Sequence, residues 1–181
     1  MSNATAIEEL PPVDALDGVA KAAAILAATC AIGLALYHAL STSKPAADYE
    51  TLAGNAREVA FFAYLVGSIA ALYFARHLQF AATRPARLIC VGYSHVAFGV
   101  AAGFVLRDDP DWFVVVGIPG NLLAVVGWIA LGVTSTKRHL LPRWLAVLGA
   151  VGGVFAVLFA EFGSGVLIGS FWLYLAFHRE P

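Results

Sequence analysis

Along the chain, long apolar runs alternate with short polar ones, and the runs are too long to be buried strands. A backbone that crosses hydrocarbon must satisfy its own hydrogen bonds, which takes a helix of about 20 mostly apolar residues. Six runs meet that requirement, at residues 16–40, 57–76, 87–106, 112–134, 144–160 and 163–177. They predict an all-α fold, a polytopic membrane helix bundle of six transmembrane helices across residues 16–178, preceded by a polar tail over residues 1–15. The last two runs are short and separated only by Glu161 and Phe162, so a five-helix reading with a re-entrant final segment stays open. The longest connection, Ser41 to Asn55, is polar, contains Pro45 and Gly54, and predicts a small external cap or short helix.

Composition agrees with this pattern: of 181 residues, 60% are hydrophobic and 13% charged, far from the balance of a soluble domain. The net charge of −1 gives no reason to expect a nucleic-acid partner, and the bilayer is the first partner implied. Basic residues then decide the orientation, because Lys and Arg accumulate in cytoplasmic loops. Eight of the eleven fall on one side, in the tails (Lys21, Arg179) and in the second and fourth connections (Arg76, Arg84, Arg87, Lys137, Arg138, Arg143). Lys44, Arg57 and Arg107 fall on the other. Both termini are therefore expected in the cytoplasm of a cell-membrane protein. The first residues carry Glu8, Glu9 and Asp14 without a basic segment before an apolar core, which reads as a tail and not as a cleaved signal. Tyr37, Trp112, Trp144 and Tyr174 fall near the headgroup levels.

Small residues at helical spacing predict the packing, since they let membrane helices approach closely. The first span carries Ala24, Ala28, Ala31 and Ala35, with His38 continuing the stripe. The third carries Gly92, Gly99 and Gly103, with His95 read onto the same stripe, and the fourth places Asn121 between Gly117 and Ala124. Gly149/Gly153 and Gly165/Gly169 do the same for the last two. No match between the two halves supports an inverted-repeat transporter.

A ligand site, if there is one, assembles from the polar residues at membrane depth. His95 and Asn121 fall near mid-membrane, and His38, Glu58 and Glu161 at the outer level, where they would form the mouth of an outward-facing pocket. Pro119, within Gly117-Ile118-Pro119-Gly120-Asn121, kinks or breaks the fourth helix and frees carbonyls. A plainer reading is available for each. The histidines and Asn121 bridge neighbouring helices, the two glutamates are interfacial, and Pro119 makes a kink only. Bis-histidine haem ligation by His38 and His95 is disfavoured because they differ by about 12 Å in height. Cys30 and Cys90 read as small buried residues, and His77, His139 and His178 as interfacial or tail residues, so no metal site and no cofactor is assigned. Neither GxSxG, HExxH nor a P-loop occurs, and none of Lys21, Lys44 and Lys137 is central in a span.

The inner connection His139-Leu140-Leu141-Pro142-Arg143-Trp144, with the segment Leu145 to Gly153, resembles the LLPRW loop and glycine-rich helix of a family of uncharacterised bacterial polytopic membrane proteins. The similarity extends from Trp128 through Phe171-Trp172-Leu173-Tyr174. It implies the architecture and carries no activity with it.

Two function classes remain. The short loops leave no room for a soluble catalytic domain, which favours a non-enzymatic membrane protein. It would be a small-solute binding or transport unit, or an accessory subunit beside a membrane-protein partner or a second copy of itself. The alternative is a membrane-embedded enzyme or redox subunit acting on a lipid or quinone, with His95 and Glu161 handling protons.

Overall fold

The computed structural model describes residues 18–40, 51–74, 83–107, 113–159 and 164–177. They form six helices: α1 (Gly18–Leu40), α2 (Leu52–Phe74), α3 (Arg84–Leu106), α4 (Phe113–Lys137), α5 (Arg143–Leu158) and α6 (Gly165–Phe177). There is no strand among the described residues. The first four are long and apolar enough to cross a membrane, whereas α5 and α6 are shorter apolar helices. At 23 residues a helix reaches about 34 Å, enough for a hydrocarbon core of about 30 Å. The 13 residues of α6 reach about 20 Å.

Local chemistry sets the ends. α2 starts at Leu52, earlier than its apolar run, because Thr51 Oγ1 accepts from Gly54 N at 3.1 Å and draws Asn55 and Arg57 into the helix. Part of the connection expected to form a cap is therefore the first turn of α2. Thr83 caps α3 by accepting from Ala86 N, with Pro85 in the first turn. α4 runs on through Pro119, three residues past its expected end. It stops where His139 turns left-handed (φ 55°) and Leu140 N donates to Ser135 O at 3.0 Å. Pro142 then precedes α5, its carbonyl accepting from Ala146 N at 3.0 Å in the first turn.

The helices form a ring. Each packs on the helix before and after it, and α1 closes on α6. Register shows that neighbours run antiparallel: Gly92 of α3 lies against Gly120 and Ala124 of α4, while Gly99, two turns on, lies against Phe113. The same reversal relates α5 to α6, where Gly149 meets Phe171 and Gly152 meets Ile168. In α1 and α6, Gly165 meets Ala31 and Gly169 meets Ala28. Six alternating helices bring the start of α1 and the end of α6 to one end, where Lys21 Nζ lies 5.0 Å from the Phe177 ring centroid. That end also carries Arg84, Arg87, Lys137 and Arg143 at helix termini, while Arg57 and Arg107 sit at the other.

Candidate functional site

Of the six residues singled out in the sequence, five lie among the described residues, at the end of α1, the start of α2, the middle of α3 and the first half of α4. Glu58 is 7% exposed in the second turn of α2. Its Oε1 accepts from Arg57 Nε at 2.8 Å and also pairs with Arg57 Nη2, so its charge is balanced by its neighbour in the chain. Close by, Arg107 Nη1 donates to Asn55 Oδ1 at 3.3 Å and ties the end of α3 to the start of α2. His38 is half-buried near the end of α1, edge-on to Tyr37 with ring centroids 5.6 Å apart. Glu161 lies outside the described residues.

His95 lies on a different face from the one its sequence position suggested. Gly92, Gly99 and Gly103 are buried, but His95 is exposed at the middle of α3. At 3.6 residues per turn it stands about 60° to the side of Gly92, enough to carry it off the seam. Its Cβ still packs beside Gly120, and its ring bends back so that Nδ1 donates to Val91 O at 2.8 Å. On α4, Gly120 is buried at that seam, Pro119 is exposed and Asn121 is half-buried. Pro119 and Asn121 are about 200° apart around the helix, so they flank Gly120 and cannot line one pocket.

What fills the centre instead is aromatic. Trp128 of α4 is fully buried, and its Nε1 donates to the Tyr93 hydroxyl at 2.9 Å. That hydroxyl in turn lies 2.7 Å from the hydroxyl of Tyr64. Indole N–H is a donor only, so Tyr93 accepts there, and a single chain of hydrogen bonds links α4, α3 and α2. Phe171 and Trp172 of α6 meet the Trp128 ring edge-on, at centroid distances of 5.6 and 6.0 Å. From α5, Gly153 faces the indole directly, with no room for a Cβ. Three side-chain polar atoms, Ser68 Oγ, Ser135 Oγ and Trp172 Nε1, are buried without a hydrogen-bond partner among the described residues. The signal for this core was available in part. Tryptophan prefers the interfacial belt, and Trp128 stands far from both ends of α4.

Open space lies on the outside. Between α4 and α5 runs a groove of about 530 Å³, floored by Gly132, Ala146 and Ala150 and walled by Val133, Val147 and Val151. Lys137 closes one end and Phe155 lies toward the other. None of the five described candidates lines this groove.

These arrangements limit the chemistry. Among the described residues no three of His, Cys, Asp and Glu come together to hold a metal. Cys30 and Cys90 are free and half-buried on different helices. The tyrosine hydroxyls and the indole are committed to one another, which suits them to fixing helix positions. Two exposed features among the described residues are the His95 flank of α3–α4 and the groove of α4–α5. Comparison with protein-family models, with curated proteins and with solved structures finds no match to this chain.

Proposed function

We propose that the chain is an integral membrane protein that crosses the cell membrane six times with both termini in the cytoplasm, and that it serves as a non-enzymatic accessory subunit of a membrane complex. Six of the eight described Lys and Arg residues lie at one end of the ring, in keeping with the positive-inside tendency. The observation that carries the accessory role is His95. It is a polar, protonatable side chain halfway along α3, exposed on the outer surface. Such a group is costly against lipid, and its Nδ1 is already satisfied by Val91, which leaves Nε2 for a group outside the chain. Val91 and Phe98 extend the exposed stripe one turn to either side, at the spacing of a helix–helix contact. A solute-conducting role has less support, because Trp128, Tyr93 and Tyr64 are buried and hydrogen-bonded to one another between α2, α3 and α4.

The test is site-specific. A photo-crosslinking residue at Phe98 is expected to capture one discrete membrane polypeptide in native membranes, while the same residue at Leu36, exposed on α1, captures lipid only. His95→Leu should weaken the first product. Identical products from both positions, or no effect of His95→Leu, would contradict the accessory role. Topology is checked separately: a cysteine at Thr51 should react with an impermeant thiol reagent outside intact cells and one at Arg84 should not.

A further inference from the structure

We infer that the groove between α4 and α5 is a binding site for one anionic phospholipid, with an acyl chain in the apolar groove and the phosphate held at its basic mouth. The inference rests on the membrane reading above. Three features carry it.

The first is depth. From Lys137 to Ile129 along α4, and from Ala146 to Phe155 along α5, the groove runs about 12–14 Å. A hydrocarbon core is about 30 Å thick, so the groove is as deep as one leaflet. The second is level. Trp144 is exposed at the start of α5 beside the mouth and stacks edge-on with Tyr174 at 4.7 Å, an aromatic pair of the kind that sits among headgroups. Lys137 is thus at phosphate height when the valines are at chain height. The third is charge. Lys137 is exposed and lines the groove, Arg138 and Arg143 are exposed at the junction of α4 and α5, and none of the three is in an ion pair among the described residues. The sequence places no acidic residue between Asp111 and Glu161. A basic mouth over an apolar groove on the cytoplasmic side matches an anionic headgroup with its own chain and offers nothing specific to a zwitterionic one.

A partner helix is the competing occupant, and the walls argue against it. Val133, Val147 and Val151 stand up on both sides of the narrow floor at Gly132 and Ala150, which suits a flexible chain better than a helix about 10 Å across.

The full chain in nanodiscs of equimolar dioleoylphosphatidylglycerol and dioleoylphosphatidylcholine, released into native mass spectrometry, tests this directly. Wild type is expected to retain phosphatidylglycerol in preference to phosphatidylcholine. Lys137→Gln should lower that preference about fivefold, the effect of one near-surface cation. Val151→Trp, which fills the groove from an outward-facing position, should release the retained lipid, and Val126→Trp, on an exposed turn of α4 outside the groove, should not. Equal retention of the two lipids by wild type, an unchanged preference in Lys137→Gln, or a second polypeptide released by Val151→Trp would each overturn the site. If Val151→Trp does not fold, the Lys137→Gln measurement still decides. Failure of the membrane reading would show differently, as a chain that does not enter the nanodisc at all.

Discussion

The two sides of α4 show what closes a helix seam and what leaves it open. Toward α3, Gly120, Ala124 and Gly127 face Ile89, Gly92 and Val96, so backbones meet and nothing larger than a hydrogen separates them at Gly92. Toward α5, Gly132 meets Ala146 and Ala150, and valines line both rims of the groove at the surface. On the interior side of that second seam the indole of Trp128 fills the space that Gly153 gives up. The same helix therefore makes a closed contact with one neighbour and an open groove with the other. Composition is apolar on both sides, and side-chain size at each register position makes the difference.

The strongest way to break this contrast is to force a side chain into the closed seam. A Cβ at Gly92 would stand 2.5 Å from Gly120 O and 2.7 Å from Ala124 N, both backbone atoms that cannot step aside. Gly92→Leu is expected to cost more than about 3 kcal/mol and to part α3 from α4, read as loss of the cooperative thermal transition in detergent. Val147→Leu in the open seam should be close to neutral in the same assay. Gly99→Leu belongs between them, at about 1–3 kcal/mol, because the atoms it meets are the ring of Phe113 at the very start of α4. A Gly92→Leu protein as stable as wild type would mean that α3 and α4 are not in this contact.

Smaller changes sharpen the account of the interior. Tyr93→Phe removes the hydroxyl shared by Trp128 and Tyr64, and at about 0.6 kcal/mol per membrane hydrogen bond, with a ceiling near 1.7, it should destabilise by about 1–2 kcal/mol. Tyr64→Phe breaks one of those bonds and should cost less; the reverse order would place the centre of the network at Tyr64. At the bottom of the scale, Ser135→Ala removes a buried hydroxyl with no partner and should leave the melting temperature unchanged or raise it slightly.

The helices were legible in the sequence because continuous apolar runs need no tertiary information. Their ends were less so. The start of α2 was missed because one threonine hydroxyl, 3.1 Å from an amide, outweighs the polarity of Asn55 and Arg57. Glycine stripes correctly marked Gly92, Gly99 and Gly103 as buried, yet the same reasoning misplaced His95. A stripe has a width, and a residue about 60° from its centre can fall on either side depending on where the neighbour's own glycine lies. Gly120 let α4 approach so closely that the imidazole had to leave the seam. The Tyr64, Tyr93 and Trp128 network was not legible, because its hydrogen bonds join three helices whose relative heights no single sequence states. The groove was hidden for a related reason: an open seam is a property of two helices together.

The proposed role implies an interior sealed to water, with lipid and partner contacts on the outer faces of α3, α4 and α5. Ser68 tests it most directly, since it is fully buried one turn from Tyr64 and cysteine replaces serine with little change in size. In a Cys30→Ala, Cys90→Ala background, Ser68→Cys in liposomes should stay unreactive toward a small water-soluble maleimide supplied to both sides, while a cysteine at the exposed Arg84 reacts quickly. Rapid labelling of Ser68→Cys in a folded protein would reveal a water-filled path through the ring and would contradict the account.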